Sequence, residues 1–197
     1  MPILEGKGIS MAFGGLLALR GVDFFLNEHQ VVGLIGPNGS GKTTLFNICS
    51  GLLRPSAGEV WFKGQRITGR SPREISRLGI GRTFQIARPF PRMTVLDHVL
   101  VGITFRSHHR LNGPRERRRE AERLLGIVGL ADKADFQARE CSLGGRKRLE
   151  LAVALSTRPT LLLVDELASG ISPKGREEVI RFYGRLRERG LTIFAIE

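Results

Sequence analysis

Cysteine is nearly absent: among 197 residues only Cys49 and Cys141 occur, and no CxxC pair is formed. A disulfide framework and a zinc site of that spacing are therefore excluded, and a reducing, cytoplasmic compartment is expected. Long hydrophobic runs are missing as well, since no stretch approaches the ~18–20 consecutive apolar residues of a membrane-spanning helix. The N-terminal MPILEGKGIS carries Glu5 and lacks the basic n-region of a secretory signal. No low-complexity tract occurs, and no repeat of the roughly 20–50 residues that mark solenoids. What remains, 41% hydrophobic residues with 25 Gly and 9 Pro, is enough for one folded domain with a sizeable core and argues against disorder.

Acidic residues are the minority. The 19 Asp and Glu face 31 Lys and Arg, 25 of them Arg, for a net charge of +12. Such a balance suits nucleic acid, an anionic membrane surface or an acidic ligand, and it equally suits a solvated basic surface.

Strands alternate with helices along most of the chain. VDFFLN and VVGLI, within residues 22–35, read as two strands separated by the turn at Glu28-His29-Gln30. A helix is expected from about Thr43 to Ser50, closed by Gly51, and a short strand over Glu59–Lys63. Pro72 opens a helix near 72–78. Residues 94–103 read as an amphipathic helix capped by Thr94, 106–114 as a loop, and 115–128 as a charged helix with apolar residues at 121, 124, 125 and 128. The stretch 94–140 is the candidate helical subdomain. A helix near 145–156, a strand at 160–165, a helix near 174–189 closed by Gly190 and a strand at 191–196 complete the pattern. Strand–helix alternation implies an α/β fold with a parallel, doubly wound sheet.

Gly36-Pro37-Asn38-Gly39-Ser40-Gly41-Lys42-Thr43 matches GxxxxGK[ST], with Thr44 following. Glycines let backbone N–H groups converge on phosphate oxygens without Cβ clashes, and the helix that follows turns its positive end to the anion. Lys42 is placed to reach the β- and γ-phosphates and Thr43 to offer its hydroxyl to Mg²⁺. Later, Leu161-Leu162-Leu163-Val164-Asp165-Glu166 reads as a buried strand ending in two acids. Asp165 there can hold Mg²⁺ through water, and Glu166 can act as general base on an attacking water.

These elements and their surroundings resemble the ATP-binding subunit of an ABC transporter, and within that family the subunits of branched-chain amino acid importers. Four further segments carry the resemblance. MAFGGLLAL resembles the opening segment whose aromatic, here Phe13, stacks on adenine. GRTFQIARPF resembles the Q-loop segment, with Gln85 sensing Mg²⁺ and the membrane partner. MTVLDHVLVG at 93–102 is similar to the helix opening the helical subdomain, and CSLGGRKRLE from Cys141 resembles the signature segment. The resemblance implies a P-loop NTPase core, a mostly parallel sheet with an antiparallel β subdomain, plus a helical subdomain, in a single domain over 1–197. It implies ATP and Mg²⁺ as cofactors, with Thr43, Gln85 and Asp165 serving the metal. It also implies a second ATPase subunit, packed head to tail, whose ATP meets this chain's Ser142, Leu143, Gly144 and Gly145. The further partners implied are two membrane permease subunits and, indirectly, a periplasmic binding protein, at the cytoplasmic face of the bacterial inner membrane.

The chain also departs from the family's pattern. Cys141 and Gly145 stand where the signature has Leu and Gln, Leu167 follows Glu166 in place of Pro, and Ser169-Gly170-Ile171-Ser172-Pro173 has a hydroxyl in place of an amide or acid. The sequence stops at Glu197, where the resemblance places a switch histidine next. None of His29, His98, His108 or His109 matches that position, and each is read as solvated. The final strand is accordingly expected to carry an apolar face left uncovered. Three functions compete: an importer ATPase; a truncated or degenerate relative that binds nucleotide without efficient hydrolysis; and a soluble ATPase acting on nucleic acid. For the last, RERRREAER at 115–123 offers arginines, but Glu116, Glu120 and Glu122 interleave them and no aromatic residue is present for base stacking. No nucleic-acid partner is expected.

Overall fold

The computed structural model describes residues 2–83, 89–105, 111, 113–165 and 173–196. These form two compact units. One comprises the segments up to Ile80 and from Thr160 onward, and the other spans Gly81–Pro159. The stretch 94–140 lies inside the second unit, which also takes in the helix that follows it.

Two sheets are formed, chiefly from segments of the first unit. An antiparallel sheet has the order β2-β1-β4-β5, from β1 (Pro2–Phe13), β2 (Leu16–Asn27), β4 (Ala57–Phe62) and β5 (Gln65–Arg66). The long β1–β2 hairpin escapes periodicity because its pairing slips at several points along β1, so its burial does not alternate cleanly. Gly8 and Gly21, both at positive φ, sit in this irregular stretch, where the Gly8 N–H donates to Asp23 Oδ1 at 2.6 Å and the Gly21 N–H to Ser10 Oγ at 2.9 Å.

The other sheet runs β3-β8-β7-β6, from β3 (Val31–Leu34), β6 (Ile80–Arg82), β7 (Leu161–Asp165) and β8 (Thr192–Ile196). β8 pairs in parallel with β3 on one side and β7 on the other. Continuous apolar runs such as LLLV and TIFAI suit strands covered on both faces, and every residue of β7 and β8 is buried. The expectation of an uncovered face on the last strand is thus overturned. β8 is internal to the sheet, its Phe194 ring lies 4.8 Å from Phe46 and 5.9 Å from Phe24 between centroids, and α6 (Pro173–Glu188) packs against it. Exposed apolar side chains occur instead at edge strand β3 and just beyond it, at Val31 and Ile35. The remaining helices of this unit are α1 (Lys42–Cys49) and α2 (Pro72–Leu78).

The second unit is built on α3 (Val95–Phe105), α4 (Pro114–Val128) and α5 (Leu143–Ser156), which pack on one another. Thr94 Oγ1 accepts from the Asp97 N–H at 3.0 Å, the cap read from the sequence. Ala121, Leu124, Leu125 and Val128 are the buried residues of α4, as their spacing predicts. Arg118 pairs with Glu122 at 2.8 Å on its exposed side, while Glu120, largely covered, pairs with Arg123 at 2.7 Å and with Arg158, just after α5, at 3.4 Å.

Candidate functional site

The phosphate-binding loop lies between β3 and α1. Its last glycine, Gly41, is the N-cap of α1 in the left-handed conformation at φ 90°, and it offers no side-chain cap. A Cβ at this position would lie 2.6 Å from the Ala18 carbonyl oxygen and 2.8 Å from Leu19 Cδ2, so glycine is required both by φ and by the close approach of β2. No acidic residue occupies the first turn of α1. The N–H groups of Lys42, Thr43 and Thr44 form the positive end of a helix that has neither a side-chain cap nor an acid in its first turn, an arrangement suited to an anion. At the other end of the loop, a Cβ on Gly36 would lie 2.9 Å from Ser40 Oγ, which keeps the turn narrow. Pro37, Asn38, Gly39 and Ser40 are all exposed, and the Ser40 N–H donates to the Pro37 carbonyl at 3.3 Å. Lys42 Nζ folds over this turn and donates to the Gly36 and Pro37 carbonyls at 2.7 and 3.0 Å.

Asp165 is buried at the C-terminal end of β7. Its register partner on β8 is Ile196, and Ile196 is also the partner of Leu34 on β3. Asp165 and the start of the phosphate loop therefore stand at one level of the sheet, two strand spacings or about 10 Å apart. That edge, the carboxyl end of parallel strands, is where open α/β sheets bind ligands. The hard oxygen donors of Asp165 and the exposed Thr43 suit Mg²⁺.

Phe13 ends β1 opposite Leu16, across the Gly14-Gly15 turn. It is 44% exposed, so it is not a core residue. The same β2 strand supplies Ala18 and Leu19, which back the phosphate loop, so the hairpin carrying Phe13 is anchored beside that loop.

In the second unit, Ser142 caps α5 by accepting from the Gly145 N–H at 3.2 Å. Leu143 and Gly144 are exposed, Gly145 is buried, and no acid lies in the first turn. The two residues that depart from the signature are close neighbours, and a side chain at Gly145 would crowd Cys141: its Cβ would lie 3.2 Å from Cys141 Cβ. Arg146 donates to the Cys141 and Arg139 carbonyls at 3.2 and 3.1 Å, holding the turn that precedes the helix. Gln85, Glu166 and residues 169–172, like His108 and His109, lie outside the described residues.

His98 is a residue that sequence reasoning misjudged. It is buried, not solvated, and its ring bridges Phe90 and Thr94. The signal was present in Pro89-Phe90-Pro91, whose single backbone N–H needs an acceptor from elsewhere. His29 in contrast has an exposed ring, with Nδ1 3.0 Å from the Gly190 carbonyl.

The profile of the ABC transporter family matches residues 19–169. The chain belongs to the ABC transporter family. This ABC ATPase is 39% identical to the high-affinity branched-chain amino acid transport ATP-binding protein BraF of Pseudomonas aeruginosa, over all of its own length and 82% of the relative's. Among solved structures, it superposes on an ATP-binding cassette of an ABC transporter with a TM-score of 0.90 at 33% identity, covering 100% of this chain and 81% of that one. A dimeric ATP-binding cassette bound to ADP and phosphate matches with a TM-score of 0.87 at 27% identity, covering 98% and 87%. The α/β P-loop NTPase fold and the ATPase class expected from the sequence are thereby established.

Proposed function

We propose that this ABC ATPase is the ATP-hydrolysing subunit of an importer for branched-chain or other amino acids. The observation that carries the reading is the meeting, at one end of the parallel sheet, of the open N-terminus of α1 with the buried carboxylate of Asp165. The amino acid class rests on the likeness to BraF.

In this reading the triphosphate lies along residues 36–44, with Phe13 against adenine. Lys42 leaves the Gly36 and Pro37 carbonyls for the β- and γ-phosphate oxygens. Thr43, Gln85 and, through water, Asp165 would hold Mg²⁺, which would offset negative charge on the phosphates. Glu166 takes a proton from the attacking water as its oxygen bonds to the γ-phosphorus, and the bond to the ADP oxygen breaks. Ser142, Leu143, Gly144 and Gly145 act on the ATP of a second ATPase subunit through the Ser142 hydroxyl and the positive end of α5. The dimeric cassette among the structural relatives supports the pairing of two ATPase subunits. Two permease subunits and a periplasmic binding protein complete the assembly at the cytoplasmic face of the inner membrane. No helix among the described residues is long and apolar enough to cross a membrane, which is consistent with peripheral attachment.

The test is Mg–ATP binding and steady-state phosphate release by the wild type and Glu166→Gln, each measured with and without the permease subunits. Retained binding with lost hydrolysis in the variant supports the assignment. Binding without hydrolysis in the wild type favours a non-catalytic nucleotide-binding relative.

A further inference from the structure

We propose that His98 is a positioning residue: its ring clamps the backbone at Phe90, five residues after Gln85, to the start of α3. Pro89 and Pro91 have no N–H, so Phe90 supplies the single backbone donor of 89–91. Neighbouring backbone serves the other polar groups of this stretch. The Phe90 carbonyl accepts from the Met93 N–H at 3.1 Å, that of Pro91 from the Arg139 N–H at 3.2 Å and that of Met93 from the Ala138 N–H at 3.0 Å. The Phe90 N–H donates to His98 Nε2 at 2.9 Å.

The second ring nitrogen fixes the tautomer. His98 Nδ1 lies 2.7 Å from the Thr94 carbonyl oxygen, which can only accept, so Nδ1 carries the proton and Nε2 presents its lone pair. The ring is thus a neutral two-ended bridge, donor to the first turn of α3 and acceptor from Phe90. It is only 7% exposed, and water does not replace it readily. The Phe90 ring stacks over it at 6.1 Å between centroids. Gln85 precedes Pro89 by four residues. Gln85 therefore lies only five residues before the clamped Phe90, and the proposed function assigns it to Mg²⁺ and the membrane partner. The link to hydrolysis rests on that function; the clamp itself does not.

Two partial isosteres test the clamp in the full chain. His98→Gln places an amide oxygen near the position of Nε2 and can still accept from Phe90. His98→Asn reproduces only the donor near Nδ1. Losing one hydrogen bond of ordinary net strength speeds exchange of the Phe90 amide roughly fivefold or more. We expect that acceleration in His98→Asn and near wild-type protection in His98→Gln. We also expect a fall in kcat for ATP hydrolysis in His98→Asn that Gln restores, with Mg–ATP affinity unchanged. Unaltered Phe90 exchange in His98→Asn overturns the clamp. Faster exchange with undiminished kcat overturns its positioning role. A wild type without hydrolysis counts against the proposed function and leaves the exchange result to judge the clamp. Should both variants fail to fold, the nitrogen spectrum of wild-type His98 decides: a proton on Nδ1 supports the bridge, and a proton on Nε2 overturns it.

Discussion

The Lys42 ammonium donates to the Gly36 carbonyl at 2.7 Å, so the phosphate loop already holds the cation it offers a ligand. The same group bonds to Pro37 at 3.0 Å, which sets the long side chain over the loop. Ordering Lys42 in this way lowers the entropy lost when a triphosphate replaces the two carbonyls. Lys42→Ala removes both the cation and this ordering. We expect kcat to fall by roughly 10²–10³, with weaker ATP binding by calorimetry and an unchanged far-ultraviolet spectrum.

The two acids at the end of β7 should separate cleanly. Asp165 is buried beside the carboxyl ends of β3 and β8 and is assigned to Mg²⁺, while Glu166 is assigned to proton transfer. Asp165→Asn should therefore raise the Mg²⁺ concentration needed for half-maximal hydrolysis. Glu166→Gln should leave that dependence in binding intact and lower kcat by roughly 10²–10⁴. Equal loss of metal dependence in both variants would remove the division of roles.

Glu74 offers a test at acid pH. The Ser71 hydroxyl and the Ser71 N–H both donate to Glu74 Oε2, at 2.6 and 2.9 Å, closing the capping box of α2. The hydroxyl bond first, the N–H bond second, hold the Glu74 carboxyl below its ordinary value of 4.5. Because the folded value is the lower one, the cap's contribution is full above the ordinary value and is lost as pH falls through the folded one. A carbon-detected titration should give Glu74 a midpoint below 4.5 that rises in Ser71→Ala.

The local signals were strongest where a single chemistry dominates. GxxxxGK[ST] located the loop because its glycines are forced by φ and by β2, as Gly41 against Ala18 demonstrates. The apolar spacing of α4 located its buried face to the residue. β1 was illegible because its register slips hide the two-residue alternation. The covering of β8 was illegible for another reason: it depends on sheet order, a contact between residues far apart in sequence, and not on any property of TIFAI itself. His98 looked ordinary because its partner is a backbone N–H eight residues away, visible only as a gap between two prolines.

Gly102 sets how closely two helices of the second unit approach. A Cβ there would overlap Ser156 Oγ and come within 3.2 Å of the Val153 carbonyl. Ser156 cannot give way freely, because it is fully buried and its hydroxyl donates to Val153 at 2.6 Å. Gly102→Ala should cost about 1–3 kcal/mol in urea denaturation. Adding Ser156→Ala should recover part of that, since the two residues share one contact. Simple additivity of the two changes would show that α3 and α5 do not meet at this pair.

Two glycines at helix starts should respond to alanine with opposite signs. Gly41 adopts φ 90°, and a Cβ would meet the Ala18 carbonyl at 2.6 Å. The left-handed conformation alone costs roughly 1–2 kcal/mol with a side chain, and the overlap adds to it. Gly144, in the first turn of α5, has nothing within 4 Å of a Cβ and no positive φ. Gly144→Ala should therefore stabilise the chain by about 0.5–1 kcal/mol. Fold stability thus gives no reason for glycine at Gly144; in the proposed function, access to its backbone N–H by the ATP of a second subunit would supply one. Turnover by the assembled transporter should fall in Gly144→Ala even as its urea midpoint rises. A variant both more stable and equally active would remove Gly144 from the ATP contact and confine the role of the α5 N-terminus to the Ser142 cap.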